Sequence, residues 1–230
     1  MKEVIKITGL LLCLFFASCS GKKDVNTYLK SAIHFIDKRE FNRAAEMLDL
    51  ALALDSNSSM AFTLKGKVLS IMKQYDEAKG CLTKAIYLDS LNTSAFFYKA
   101  GLFSNLGIED SALIFYNMAL DSKKRGGYYF EMTVNFDVVE EEKQVTLEVI
   151  YFNRGISLYE LGQTKLALSD FKYAHRKGFN TSLCSLYIGD IMLSHGDESG
   201  CNFLISAFKE GVKEADALIR YYKCNTSIEN

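Results

Sequence analysis

Apolar and polar positions in this chain come back into phase every 34 residues. FNRAAEMLDLALALDS (Phe41 to Ser56) is followed by YDEAKGCLTKAIYLDS (Tyr75 to Ser90) and by IEDSALIFYNMALDS (Ile108 to Ser122). Ala44, Ala78 and Ala112 fall on that period, as do Ala51, Ala85 and Ala119, and the bulkier Leu48, Leu82 and Tyr116. Upstream it picks out Ala32, Gly66 and Ala100, and one turn earlier the rings Tyr28, Phe62 and Phe96. Ala51 lies two helical turns after Ala44, so each stretch has one continuous helical face. Small residues on two neighbouring stretches let antiparallel helices approach closely. A single helical hairpin cannot bury its apolar faces alone, so a fixed period of this kind predicts stacked hairpins, a solenoid.

A fourth unit, VIYFNRGISLYELGQTKLALSDFKYAHRKG (Val149 to Gly178), carries Tyr151, Gly155, Leu158, Gly162, Ala167, Phe171 and Ala174 in the same order. A fifth, 34 residues on, has Gly189, Met192, Cys201, Ile205 and Phe208; here Cys201 replaces one small residue and Phe208 another. This pattern resembles the tetratricopeptide-repeat family over roughly Val25 to Asn225. The resemblance implies an all-α fold, a right-handed α-solenoid of about five helix-turn-helix units. They are expected at 25–58, 59–92, 93–126, 148–181 and 182–215. EADALIRYYKC, about 213–224, would be a capping helix over the last apolar face. The family's Pro near each unit's end is replaced by Ser56, Ser90 and Ser122, and the chain has no Pro at all. Its turns therefore fall to Gly, Asn, Asp and Ser.

The fourth unit is out of phase, because 55 residues separate Ala112 from Ala167. An insertion is placed at 127–147. Phe130, Met132, Val134 and Phe136 alternate with polar residues, which predicts an extended segment over Gly126 to Phe136. Asp137, with Glu140 three later, resembles a capping box and predicts a lengthened helix from about Val138 to Leu161. A hairpin pairing Phe130–Phe136 with Val145–Val149 is the alternative.

The N-terminus follows a different pattern. Lys2 and Lys6 precede the apolar run ITGLLLCLFFA, which is too short to span a bilayer. Phe16-Ala17-Ser18-Cys19 resembles a bacterial lipobox, although Phe16 stands where Leu is usual. The resemblance implies a lipoprotein signal peptide at 1–18, acylation of Cys19 and a polar tether at 19–24. It places the protein on a membrane of the bacterial envelope, and Ser20, which is not Asp, favours the outer membrane. Of the other cysteines, Cys81, Cys184, Cys201 and Cys224 show no zinc spacing and no disulfide framework. Cys201 reads as a core thiol, not bridged to Cys184.

Composition narrows the chemistry. The chain is 49% apolar and 24% charged with a net charge of -1, which offers no basic face for nucleic acid. His34, His175 and His195 lie in different units without a nucleophile or ligand beside them, and Glu140 to Glu142 suit a helix start. No catalytic site, cofactor or metal is expected. The family resemblance implies a concave groove lined by the first helices of successive units, which holds a protein or peptide. Projected onto this chain, the groove residues are Phe97, Tyr98, Asn105, Phe152, Asn153, Tyr159 and Tyr187. Leu29 and Ile33 stand where some members carry Lys and Asn to clamp acidic C-termini, so that clamp is missing. Two functions follow: a membrane-anchored scaffold for protein partners, or a lipoprotein binding glycans or other nutrients. The absence of Trp counts against the second.

Overall fold

The computed structural model describes residues 24–126 and 145–225. Within them the chain forms eleven helices and no strand. They pair as hairpins: α1 (Val25–Asp37) with α2 (Phe41–Leu54), α3 (Ser59–Ile71) with α4 (Tyr75–Leu88), and α5 (Thr93–Asn105) with α6 (Glu109–Lys124). Next come α7 (Leu147–Glu160) with α8 (Thr164–Arg176) and α9 (Thr181–Ser194) with α10 (Gly200–Lys209). The last, α11 (Glu214–Tyr221), covers the end of the stack. Each hairpin packs on the next, and α7 packs on both α5 and α6, so the solenoid runs on past the insertion.

The periodic small residues are the seams. Ala32, Ala44, Ala51, Ala78, Ala85, Ala100, Ala112 and Ala119 are wholly buried, with Leu48 and Leu82 between them. A Cβ on Gly66 would lie 2.5 Å from Leu82 Cγ, and one on Gly155 would lie 3.0 Å from the Phe171 ring. A larger residue at either place would force the two helices apart.

The turns inside the hairpins share one device, a single residue in the left-handed region. Gly107, Gly162 and Gly196 do this in the last three hairpins, but Arg39 (φ 59°) and Lys73 (φ 63°) do it in the first two. The expectation of Gly, Asn, Asp and Ser in the turns is thus corrected at two places. Between hairpins, Asp and Ser take over from Pro. Asp55 Oδ1 accepts from Asn57 N and Asp89 Oδ1 from Leu91 N, each at 3.0 Å. Ser58 and Asn92 then cap the next helices. Ser122 is no turn residue; it lies inside α6, buried, with its hydroxyl 2.9 Å from Thr93 Oγ1 and donating to Leu91 O at 2.6 Å.

Two elements depart from expectation. The lengthened helix does not reach back from Leu161 to Val138: α7 starts at Leu147, with Thr146 extended at its N-cap. Val145 is buried in one cluster with Ile150, as in a hydrophobic staple, so it belongs to the approach and not to the helix. The hairpin alternative fails at its second strand, since Val149 is helical. The extended segment beyond Gly126 lies outside the described residues.

The fifth hairpin slips by one. Gly200, Leu204 and Ala207, not Cys201, Ile205 and Phe208, fill the inner column held in α8 by Ala167, Phe171 and Ala174. The slip coincides with a tight turn at Asp197, which accepts from Ser199 N at 3.0 Å and Ser199 Oγ at 2.6 Å just before the helix starts at Gly200. One residue of slip rotates each side chain by about 100°. Phe208 is thereby exposed, and Cys201 faces the capping segment instead of the core. Cys201 is not a core thiol: it forms a disulfide with Cys224, Cα to Cα 5.5 Å. Cys184 stays a buried free thiol, its pKa pushed up to about 12 by burial.

Candidate functional site

The first helices of the hairpins present one face, and a cleft of about 280 Å³ opens on it. Helix α3 contributes Lys67, Ser70 and Ile71, α5 contributes Phe97, Tyr98, Gly101, Ser104 and Asn105, and α7 contributes Asn153. Gly101 matters for access: its position carries no side chain, so the cleft reaches the hydroxyl end of Tyr116, 3.9 Å from where a Cβ would stand. Burial, and then Glu109, push the Tyr116 phenol well above the usual tyrosine range, which keeps it a neutral donor.

Four of the seven groove residues expected from the sequence meet here. Phe97 lies edge-on to Tyr98 at 5.6 Å and tilted on Tyr116 at 5.8 Å. Lys67 Nζ is 5.1 Å from the Tyr98 ring centre, a cation held by a ring, with no carboxylate at ion-pair distance among the described residues. Asn105 is exposed at the end of α5. Asn153 donates from Nδ2 to Val149 O at 2.8 Å, leaving Oδ1 as an acceptor. Aromatic faces, one ammonium and two amides suit an extended segment with polar groups of both kinds.

Tyr159 and Tyr187 form a second neighbourhood further along. Tyr159 Oη donates to Asp190 Oδ2 at 2.5 Å, and Tyr222 Oη donates to Asp190 Oδ1 at 3.0 Å. Tyr187 stacks on Phe171 at 4.6 Å and meets Tyr159 edge-on at 5.2 Å. Burial first and the bond to Asp190 second raise both Tyr159 and Tyr222, the latter to about 12. Both hydroxyls are therefore donors at neutral pH.

Phe152 belongs to neither neighbourhood. It is only 6% exposed and packs edge-on to Phe171 and Phe179, so it is a core residue and not a groove residue. Leu29 is buried and Ile33 half-buried, both without charge.

The sequence reasoning missed Lys67, Gly101 and Asp190, although a signal was there. Each stands one residue after the small column Gly66, Ala100 and Gly189, so the period that locates the core also locates the face beside it.

Among the described residues, no three His, Cys, Asp or Glu side chains gather as a metal site. No described helix is long and apolar enough to cross a membrane.

No family model matches the chain. A TPR repeat-containing protein of Methanocaldococcus jannaschii is 25% identical over 114 residues, covering 48% of this chain and 20% of that protein. The chain thus matches about a fifth of that relative's length. Among solved structures, YrrB, described as a TPR protein with an unusual peptide-binding site, superposes with a TM-score of 0.61 at 20% identity, covering 91% of this chain and 96% of its own. The pilF protein of Pseudomonas aeruginosa gives a TM-score of 0.69 at 14% identity, covering 87% and 85%. PilW, described as a widely conserved type IV pilus biogenesis factor, gives 0.60 at 13% identity, covering 88% and 95%. These three are likenesses of fold.

Proposed function

The chain is built of tetratricopeptide repeats, and from that premise we propose that it is a scaffold whose groove holds an extended or helical segment of a protein partner at a bacterial envelope membrane. One observation carries this: Phe97, Tyr98, Asn105 and Asn153, which the family resemblance implies as groove residues, line a single cleft with Lys67 and the Tyr116 hydroxyl. Aromatic rings with one polar end each are the usual anchors of an interface. The peptide-binding site ascribed to YrrB supports the same use of the fold.

The envelope part rests on two features. Phe16-Ala17-Ser18-Cys19 supports acylation at Cys19, with 1–18 as the signal peptide and 19–24 as the tether. The Cys201–Cys224 bond supports an oxidising compartment, since cytosolic thiols stay reduced.

The groove is tested by capturing partners from envelope extract with the wild type, a Phe97→Ala, Tyr98→Ala double variant, and a control at the exposed Lys165, Lys165→Ala. The double variant should lose the captured proteins while its helical circular dichroism persists. Equal capture by all three would remove the groove from the proposal. Anchoring is tested by mass spectrometry of the membrane-extracted protein. An acylated N-terminus at Cys19 is expected, and an unmodified terminus elsewhere would overturn it.

A further inference from the structure

One repeat position on the groove face changes character along the stack. Ile33, Lys67, Gly101, Ile156 and Asp190 each stand one residue after the small column Ala32, Gly66, Ala100, Gly155 and Gly189. The position thus holds one cation, in the second hairpin, and one carboxylate, in the fifth. The flanking positions correspond as well. Tyr187 stands where Tyr98 does in its own hairpin, and Tyr159 where Ser70 and Ser104 do. Tyr159, Tyr187 and Asp190 therefore form, between the fourth and fifth hairpins, the counterpart of Ser70, Tyr98 and Gly101 in the cleft between the second and third.

The chain itself reaches into this counterpart. Tyr222 follows α11 and belongs to no groove helix, yet its Oη donates to Asp190 Oδ1 at 3.0 Å, while Tyr159 Oη donates to Oδ2 at 2.5 Å. Tyr222 lies two residues before Cys224, so the Cys201–Cys224 bond keeps it in place. The geometry thus admits a donor delivered by a separate segment. A carboxylate has about four acceptor directions, and the two donors here are neutral hydroxyls. Among the described residues no Lys, Arg or His lies within ion-pair distance of Asp190.

The surroundings are aromatic and acidic. Tyr159 meets Tyr187 edge-on at 5.2 Å. Asp190, Tyr159 and Tyr187 are all half-buried, so part of each reaches solvent. Glu160 and Glu214 are exposed nearby, and after burial they are what raises the Tyr187 phenol.

We propose that Asp190 is a subsite for an arginine or lysine side chain of the partner segment, which takes the place of the Tyr222 hydroxyl, a role that rests on the groove proposed for this chain. A hydrogen bond between two ionised groups is about twice as strong as one between neutral groups, which favours the exchange. A guanidinium also pairs in plane with a carboxylate and lies against aromatic rings. With Lys67 at the same repeat position three hairpins earlier, the two charges give the bound segment a direction: its basic residue lies toward the C-terminal end of the stack.

The test uses the full chain labelled with ¹³C at tyrosine Cζ, titrated with acetyl-Gly-Arg-Gly-amide and, separately, with acetyl-Gly-Glu-Gly-amide at matched ionic strength. The Tyr159 and Tyr222 resonances should move with the arginine peptide and stay in place with the glutamate peptide. Asp190→Asn should weaken arginine-peptide binding by about tenfold or more. Tyr222→Phe keeps the ring and the disulfide but removes the competing hydroxyl, so it should strengthen binding by about threefold or more. The Phe97→Ala, Tyr98→Ala variant should bind this peptide as the wild type does, so a failed cleft and a failed Asp190 subsite give different results. Equal affinity in the wild type and Asp190→Asn would overturn the site. Unchanged or weaker binding by Tyr222→Phe would overturn the displacement. No response to the arginine peptide, or an equal response to both peptides, would overturn the cation assignment.

Discussion

Gly189 and Gly200 touch backbone to backbone: a Cβ added to Gly200 would lie 2.6 Å from the Gly189 carbonyl oxygen, and one added to Gly189 would lie 2.8 Å from that of Gly200. Neither contact ends on a flexible side chain, so helices α9 and α10 must separate to admit a methyl group. Gly200→Ala should cost about 1–3 kcal/mol in urea melts. Gly80→Ala, in open space on α4, should instead gain about 0.5–1 kcal/mol from lost chain entropy. Equal effects at the two sites would mean that the small column does not set the helix spacing.

Arg154 and Asp170 form the most buried ion pair described, with the Asp170 side chain 4% exposed. Burial raises the Asp170 pKa above the usual carboxylate value, and Arg154 opposes that rise. Arg154→Met should cost about 3 kcal/mol at neutral pH, because Asp170 is left buried and unpaired. In that variant the folded-state pKa of Asp170 rises further. A raised pKa favours the fold below the unfolded value and penalises it as pH climbs through the folded one, so the deficit should shrink on acidification. The exposed Arg125–Asp121 pair is the comparison, and Arg125→Met should change stability by less than about 1 kcal/mol.

Asp190 accepts from both Tyr159 and Tyr222, joining the fourth and fifth hairpins to the C-terminal segment. Tyr222 is raised to about 12, so its contribution is complete below an ordinary tyrosine pKa of about 10 and is lost as pH rises to about 12. Asp190→Asn should lower the Tyr222 pKa and flatten the loss of stability across that window. Tyrosinate absorbance and urea midpoints at several alkaline pH values measure both. An unchanged titration curve would show that burial alone raises Tyr222.

The Cys201–Cys224 bond closes a loop of 23 residues around α11. Its reduction should destabilise this end by about 2–4 kcal/mol. Hydrogen exchange in α11 should speed up, while α1 to α4 keep their protection, because each hairpin contacts mainly its neighbours. Faster exchange throughout the chain would mean that the solenoid melts as one unit.

The repeat was legible because close packing leaves a mark in composition. Ala44, Ala78, Ala112 and Ala167 cannot be large where two helices touch. The slip in the fifth hairpin was not legible, because fixed spacing assumes turns of fixed length, and five residues, 195–199, join α9 to α10 where the other hairpins have three. Counting from Ala167 therefore landed on Cys201 and passed over Gly200, which also hid the partner of Cys224. Phe152 was misplaced for a different reason. Groove and core positions alternate within one helix turn, and the rings of Phe171 and Phe179 close over Phe152 only once α7 and α8 pair and the chain turns back towards α9. Lys73, a polar residue in a turn, gave no sign of its left-handed backbone; Gly107 and Gly162 at the same place in later repeats were the available hint.

The disulfide also decides how the molecule carries mechanical load. Pulled from its two ends, an unbridged chain could lengthen through every residue, by up to about 3.3–3.6 Å each. Here tension passes from Cys201 to Cys224 through sulfur, and the chain between them bears none of it. The capping helix would stay folded on α10 until α10 itself gave way, so a strained solenoid unravels from the hairpins nearer the N-terminus while its C-terminal end remains closed.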